Sequence, residues 1–379
     1  MRISTPKAIA LTVTCALGLA ACGTSSGTSP GGPSGGSSAM PSSGVDVGKA
    51  SAVTPVDSAT LAKAKEQGSV LLYSNADEQQ MKPVIDAFEA KYPAIDLRVL
   101  NMNDAQTFQR YATETATGVR TADVVMGSDA VGMLDFVGKG NIAEYTDPNV
   151  KNLPEYAQLA PGLVAMSEDP VVAVYNTALI PKDGQPKDIA SLAGMSDSLK
   201  GRIGTTDIGN PTQFGALAGY IGRHGEAGWK NIERLGPNSG VESGTGNLMQ
   251  KLAQGQYSAS YFVSGTVRAL IKGDAAKVLN YAYLTDGTPL IPRGVGITKK
   301  ARSPEAAKVF VNFLLSVEGQ EAACEGGFTP YRDGVDCAYG VPAIEQAVGA
   351  GNMILGGYPE GIVKDKPALD ARWKKAFGR

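Results

Sequence analysis

Small polar side chains recur at the ends of predicted strands, in a pattern that suits ligand binding. Each group follows an apolar segment and precedes a predicted helix. A helix N-terminus presents free N–H groups and the positive end of the helix dipole, which together suit a phosphate or a carboxylate. Hydroxyl side chains add donors without blocking the backbone. The residues are Ser74 with Asn75, Ser128, Asn210 with Thr212 and Gln213, Thr245 with Gly246 and Asn247, and Ser264 with Gly265 and Thr266.

The sequence contains few residues of the types that most often serve in catalysis or bind transition metals. His224 is the one histidine among 379 residues, although imidazole is the commonest transition-metal ligand and the usual general base near neutral pH. It lies in Arg223-His224-Gly225-Glu226, which is typical of a helix end, where positive charge is favoured. Phosphate-loop, dinucleotide and Gly-x-Ser-x-Gly motifs are missing. The sequence therefore predicts no enzyme, no cofactor and no metal site.

Charge gives no sign of a nucleic-acid partner. The chain has 35 basic and 37 acidic residues and a formal net charge of −2. A basic excess is what a nucleic-acid backbone or an anionic membrane surface would require.

The polar groups need a scaffold, and alternating strand and helix patterns supply one. Compact apolar strands at 69–73, 95–99 and 123–126 alternate with amphipathic helices, and a second such block begins near Val171. This pattern predicts an α/β fold whose mostly parallel sheets carry helices on both faces. The length favours two domains. In open α/β sheets the crevice at the carboxyl ends of the strands binds ligands, so we expect the polar groups to converge there. The alternative is that each polar residue only caps its helix.

The N-terminus indicates export. Arg2 and Lys7 precede an apolar stretch, Ala8 to Ala21, that is too short for a stable membrane anchor. Residues 1–21 are thus a predicted signal peptide. The stretch ends in Leu19-Ala20-Ala21-Cys22, which resembles a bacterial lipobox and implies lipidation of Cys22. Residues 22–50 are mostly Gly, Ser, Pro, Thr and Ala, which predicts a flexible tether at the outer face of the cell membrane.

The remaining cysteines predict a disulfide. Cys15 would leave with the signal peptide, so Cys324 and Cys337 remain in the folded part of the chain. Two cysteines in an exported domain form a natural pair. Closing a loop of this length stabilises the folded state by roughly 3 kcal/mol.

Four segments, taken in order, resemble the extracellular solute-binding proteins, a family that includes bacterial ferric-iron-binding proteins and relatives that bind sugar phosphates or phosphonates. The resemblance implies two α/β lobes of the type II periplasmic-binding-protein kind, joined by crossing hinge strands. The implied first lobe comprises 58–170 plus about 296–325, and the second 171–295 plus about 326–379. The segments are Val70–Asn75 with the following helix, Ala122–Asp129, Val172–Thr177, and Gly296–Thr298 with the helix and turn that extend to Gln320.

The resemblance also implies a function. A monomeric protein of this kind captures a small molecule between its lobes by hinge closure and delivers it to an ABC permease in the membrane. The segment that contains Ser128 and Asp129 would line the cleft, and the loop from Asp286 to Pro289 would place Thr288 near it. Arg268 or Arg293 could supply a charge partner, although an ordinary surface position is the alternative for both.

The solute class follows from departures from the family pattern. Ferric-binding members carry two adjacent tyrosines after the strand that corresponds to Ser258–Ser264, whereas this chain has Val263-Ser264-Gly265-Thr266 there. A small anionic or polar organic solute, phosphorylated or carboxylated, is therefore the leading hypothesis, and ferric iron is the alternative. A secreted hydrolase that uses His224 or Asp129, and a lipoprotein scaffold without a ligand, are two further hypotheses.

Overall fold

The computed structural model describes residues 54–355, 358–359 and 361–379. The predicted signal peptide, Cys22 and the tether lie outside the described residues. The α-helices, numbered α1 to α13 in chain order, are Ser58–Gln67, Glu78–Lys91, Asp104–Thr117, Ala130–Gly138, Ile189–Met195, Pro211–Leu235, Thr245–Ala253, Val267–Leu270, Ala275–Val278, Pro304–Leu314, Val317–Glu325, Val341–Val348 and Ile362–Ala376. The strands, β1 to β11, are Ser69–Ser74, Asp96–Asn101, Val124–Gly127, Gln158–Ala160, Leu163–Asn176, Ile203–Thr206, Ser239–Glu242, Ala259–Ser264, Leu279–Ala282, Thr288–Ile297 and Met353–Ile354.

Side-chain caps explain where the helices next to the strand ends begin. Asp77 and Asn103 each accept a hydrogen bond from the third residue of α2 and α3, and a glutamine at that position returns the bond in both cases. Asn210 caps α6, whose first residue is Pro211. The sequence predicted α6 as two helices, and Gly225 breaks it with a φ of 54°. The caps fix the strand-to-helix turns at which the polar groups stand.

The strands form one continuous sheet with the order β2-β1-β3-β10-β5-β8-β6-β7. In one half, β1 runs parallel to β2 and β3. In the other half, β6 runs parallel to β7 and β8. The antiparallel pair β10 and β5 joins the halves. Two parallel groups connected by crossing strands confirm the predicted fold class.

Strand β5 passes from one hydrophobic core to another. Its residues Leu163–Met166 belong to the larger core, which also contains β1 and β3. Its residues from Val171 onward belong to two further cores, built around α6 and α7. Of the C-terminal residues that the sequence assigned to the second lobe, Phe328 and Ile344 pack in the larger core, and Trp373 packs with α6.

The crossing strand is longer than the sequence predicted. The apolar pattern indicated a strand only over 171–175, whereas β5 has 14 residues, all of them buried. The first part of the strand was not predicted because it contains the polar run Ser167-Glu168-Asp169-Pro170. Buried strands are usually recognised in a sequence as continuous apolar runs.

The predicted disulfide between Cys324 and Cys337 is present. Across the described ranges, no helix combines the length and the apolar character needed to cross a bilayer.

Candidate ligand-binding site

The carboxyl ends of the parallel strands from both halves converge on the middle of β5. Ser264, the last residue of β8, pairs with Val171. Gly127, the last residue of β3, pairs with Gly294 of β10, which in turn pairs with Ala165. The two strand groups therefore end on either side of residues 166–170. This is the place where open α/β sheets bind ligands.

An ion pair lies at the centre of this convergence. Arg293 Nη2 donates to Asp169 Oδ2 at 3.1 Å, and each side chain is 8% exposed. Arg293 Nη1 also donates to Asn75 Oδ1. The backbone N–H of Thr329 donates to Asp169 Oδ1 at 3.2 Å. The charge of Asp169 is thus neutralised within the protein. The Nε atom of Arg293 has no partner in the described ranges.

A second carboxyl group, that of Asp104, lies against the end of β3. Asn75 Nδ2 donates to Asp104 Oδ2 at 2.9 Å. A Cβ on Gly127 would stand 1.8 Å from Asp104 Oδ1, so only glycine leaves room for the carboxyl group. Burial, followed by the negative charge of Asp129, raises the pKa of Asp104 to about 6. Asp129 itself caps α4 by accepting from the backbone N–H of Gly132 at 3.1 Å.

A third carboxyl group, that of Glu168, is fully buried, and neither of its oxygens has a hydrogen-bond partner among the described residues. Burial, followed by the charge of Asp169, holds the pKa of Glu168 well above its ordinary value. Glu168 pairs with Pro292, two residues before Gly294 on β10. The register shifts between Arg293 and Gly294, where β5 has the extra residue Met166. Side chains alternate along β10, so Glu168 lies on the same face of the sheet as Pro292 and Gly294.

The hydroxyl group of Tyr358 lies over this same face, 2.7 Å from where a Cβ on Gly294 would stand. Within the part of the chain that the structure describes, this hydroxyl has no hydrogen-bond partner. Burial raises the pKa of Tyr358, and the charges of Asp104, Asp129 and Glu168 raise it further. We call the region in which the side chains of Asn75, Asp104, Asp129, Glu168 and Arg293 lie near one another the central crevice.

Arg268, in the other half, uses its N–H groups for acceptors within the protein. It donates to Gly265 O at 2.7 Å, to Tyr283 Oη at 2.8 Å and to Thr329 Oγ1 at 2.6 Å. Arg268 and Arg293 are 2% and 7% exposed, so neither occupies the surface position that the sequence had left open.

The predicted residues of the first half gather at the central crevice. Asn75 and Asp129 border it directly. Ser74 accepts from the backbone N–H of Ala76 at 3.0 Å and shapes the turn after β1. Ser128 and Pro211 line one cavity of about 40 Å³, so the start of α6 faces the end of β3.

The predicted residues of the second half lie at the strand ends but mostly satisfy one another. Asn210 caps α6 through the backbone N–H groups of Thr212 and Gln213. Gln213 Oε1 accepts from Thr205 Oγ1 at 3.0 Å, and the hydroxyls of Ser264 and Thr266 are 3.1 Å apart.

The remaining predictions fall on the turn before β10 and on the first turn of α7. Thr288 accepts from the backbone N–H of Leu284 and donates to its carbonyl, both at 2.9 Å, and so closes that turn. Thr245, Gly246 and Asn247 form the start of α7, where Asn247 Nδ2 donates to Ser243 Oγ at 3.0 Å.

Sequence reasoning missed Asp104, Glu168, Asp169 and Tyr358. An acid such as Asp104 in the first turn of a helix is expected for electrostatic reasons alone. The one available signal was the polar run 167–170, which interrupts the apolar pattern of β5. Within the described ranges, no group of three or more His, Cys, Asp or Glu residues is placed to hold a metal ion. Tyr261, the tyrosine nearest to the family's iron-binding position, is fully buried within β8.

The sequence model of the family described as bacterial extracellular solute-binding proteins matches residues 84–346, well over half of the chain. The chain belongs to this family. Solved structures with the same fold cover most of this solute-binding protein. The substrate-binding protein of an ABC transporter from Agrobacterium tumefaciens is 20% identical, with a TM-score of 0.70 over 82% of this chain and 94% of that one.

Two further solved structures bind different ligands. Iron-bound HitA from Pseudomonas aeruginosa is 19% identical, with a TM-score of 0.66 over 80% of this chain and 99% of that one. AfuA from Actinobacillus pleuropneumoniae, with fructose-6-phosphate bound, is 22% identical, with a TM-score of 0.67 over 82% of this chain and 99% of that one. At these identities the likeness shows the fold alone. No curated protein sequence matches this solute-binding protein with significance.

Proposed function

We propose that this solute-binding protein captures a small polar organic solute in the central crevice and releases it to an ABC permease in the membrane. The observation that carries the proposal is the convergence of β3 and β8, from opposite halves, on residues 166–170 of β5. A solute held there touches both halves. The half built on the larger core acts as one lobe, and the half built around α6 and α7 acts as the other.

Capture requires the lobes to separate and close again. The cavity between Ser128 and Pro211 has about 40 Å³, which is room for a few water molecules only. A solute of ten or more atoms therefore enters a more open form. Strands β5 and β10 are the connections between the lobes within the sheet, and they take up the motion. A solute that contacts both lobes stabilises the closed form.

The role is binding, without catalysis. Asp169 is neutralised by Arg293, and Asp129 is held by the start of α4. His224 contacts the carbonyl oxygen of Asp286 at 2.6 Å, and its ring packs on Tyr220. His224 thus contacts Asp286 and Tyr220 and does not border the central crevice.

The polar lining supports an organic solute, but it gives an organic anion little to bind. Arg268 and Arg293 already serve protein acceptors. An organic phosphate or carboxylate would depend on backbone N–H groups at the helix starts, where Asn210 and Asp129 already accept hydrogen bonds.

Membrane attachment completes the proposed role. Lipidation of Cys22 would hold the protein, as a monomer, at the outer face of the cell membrane through the tether of residues 22–50. At the start of the described part of the chain, the backbone N–H of Thr54 donates to Asn149 Oδ1 at 2.7 Å, and its carbonyl oxygen accepts from Asn312 Nδ2 at 2.9 Å.

The test is native mass spectrometry of the full chain, purified in mild detergent from the cells that make it. The expected result is a small-molecule adduct and a higher melting temperature when a low-molecular-weight cell extract is added. Asn75→Ala should weaken both effects, whereas Gln79→Ala, on the exposed face of α2, should leave them unchanged. A protein that retains no solute and gains no stability from the extract would contradict the proposed function.

A further inference from the structure

We propose that the central crevice selects a cationic nitrogen, the ammonium or guanidinium group of a small organic base. The inference rests on the proposed function, because it names the solute class for the same site. It also departs from the sequence-based hypothesis of an organic anion.

Acidic groups outnumber basic groups in the central crevice. Four carboxyl groups, those of Asp104, Asp129, Glu168 and Asp169, lie with one guanidinium group, that of Arg293, and burial favours the neutral form of Glu168. The ion pair in the central crevice joins Arg293 to Asp169 and leaves the other three acids without a basic partner. Arg268 cannot supply the missing charge, because its N–H groups serve two carbonyl and two hydroxyl oxygens.

Glu168 gives an independent reason to expect a donor from outside the protein. Its carboxyl group is fully buried, both oxygens lack a partner among the described residues, and it lies on the same face of the sheet as Gly294. A buried polar group without a partner is costly. A cation beside Glu168 favours its ionised form, which only accepts hydrogen bonds, and an ammonium group offers three donors and a guanidinium group five. A cationic nitrogen therefore satisfies Glu168 and balances its neighbours at once.

Glycine makes room for this recognition. Gly127 and Gly294 are paired across β3 and β10, so the side-chain positions that they leave empty lie next to each other on one face. The carboxyl group of Asp104 fills the first position and the hydroxyl of Tyr358 approaches the second. Two polar groups that can accept hydrogen bonds thus approach neighbouring glycine positions. The unpartnered Nε of Arg293 adds a donor for an oxygen atom of the same solute.

The direction of proton exchange on binding distinguishes a bound cation from a bound anion. The pKa of Asp104 is raised to about 6 by burial and by Asp129, against the opposing effects of Arg293 and Asn75. A bound cation lowers this pKa, so binding near pH 6 releases protons. A bound anion raises it, so binding takes protons up.

The experiment separates a low-molecular-weight extract of the producing cells into cationic, neutral and anionic fractions by ion exchange. Each fraction is tested against the full chain by thermal shift. Matched pure compounds extend the comparison: glucosamine, glucose and glucose 6-phosphate; arginine and citrulline; and 1,4-diaminobutane, 1,4-butanediol and succinate. Calorimetry in two buffers of different ionisation enthalpy then gives the direction of proton transfer for any compound that binds.

The expected result is stabilisation by the cationic fraction, with proton release near pH 6. Asp104→Asn and Glu168→Gln keep the side-chain shape and should each weaken binding about 10- to 100-fold, as expected when a charged hydrogen-bond partner is lost. Asp135→Asn, on the exposed face of α4, is the matched control and should bind as the unchanged protein does. The melting temperature of each variant without solute shows whether it folds.

Stabilisation by the anionic or the neutral fraction, with none from the cations, would overturn the inference and leave the proposed function standing. Stabilisation by no fraction would end both. If Asp104→Asn and Glu168→Gln bound the cation as well as the unchanged protein does, the cationic nitrogen would not bind in the central crevice and the inference would be wrong.

Discussion

The carboxyl group of Asp104 lies so close to Gly127 that a Cβ on the glycine would stand 1.8 Å from its Oδ1 atom. The end of β3 and the start of α3 are thereby fitted to each other at the central crevice. The carboxyl group of Asp104 thereby occupies the side-chain position that Gly127 leaves empty.

Gly127→Ala should therefore destabilise the protein. The new methyl group would overlap Asp104 Oδ1 and would lie 3.1 Å from Met133 Cε, a crowding that costs about 1–3 kcal/mol. Urea unfolding measures the change. Gly138→Ala, with nothing within 4 Å of its Cβ, is the control and should not lower stability. A loss for Gly127→Ala that persists undiminished beside Asp104→Ala would show that the carboxyl group is not the obstacle.

The titration of Asp104 should make the stability of the solute-free protein fall as the pH rises. Its pKa is raised from 3.8 to about 6 on folding, so the folded state favours the protonated form. The full stability is present below about pH 4, and roughly 3 kcal/mol is lost between pH 4 and pH 6. Asp104→Asn should remove this loss and be the more stable protein at pH 8.

Unfolding by urea at pH values from 4 to 8 checks this prediction, with Asp135→Asn as the control. Identical pH profiles for Asp104→Asn and the unchanged protein would mean that Asp104 titrates normally. A group that weakens the empty protein is retained when function needs it, which fits a carboxyl group that a bound cation neutralises.

The ion pair between Asp169 and Arg293 should be costly to break from one side. Both side chains are 8% exposed, and removing one member of a buried pair leaves the other charge uncompensated, at a cost of about 3–5 kcal/mol. Asp169→Asn and Arg293→Met should each show a loss of this size in urea unfolding. The double variant should lose clearly less than the sum. Strict additivity would show that the two groups do not interact.

The disulfide should contribute through the unfolded chain. Cys324 and Cys337 are 13 positions apart, and a loop of this length corresponds to roughly 3 kcal/mol in the chain-entropy account. Replacing both by serine should lower the free energy of unfolding by about this amount. Reductant should reproduce the loss in the unchanged protein and have no effect on the double variant, and an effect there would point to another target.

Local patterns predicted much of the fold, because they act within a few residues. The apolar strands β1 and β3 and the division of α6 into two helices at Gly225 all follow from short-range patterns. Strand β5 was predicted only in part, because its polar centre is buried by contacts with segments far away in sequence, such as the pair between Glu168 and Pro292.

The central crevice was harder to predict than the fold. Asn75 and Asp129 could be named, since polar residues after a strand carry a local signal. Asp104 carries none, because its role depends on Gly127 and on Asp129, and both belong to other elements. The burial of Arg268 and Arg293 likewise depends on partners as distant in sequence as Thr329 and Asp169. The sequence predicted an anionic or polar solute from hydroxyl residues at the starts of helices. The carboxyl groups that would repel an anion come together only in the folded structure.

Capture between two lobes is most directly tested by a distance measured across them. Spin labels at Asp86→Cys on α2 and Gln250→Cys on α7 occupy exposed positions, one in each lobe. Pulsed electron paramagnetic resonance on the full chain then gives the interlobe distance with and without the stabilising fraction of the extract. The account predicts a broad distribution without solute that narrows to a single, shifted distance when solute binds. An unchanged distribution in protein that calorimetry shows to be saturated would contradict it.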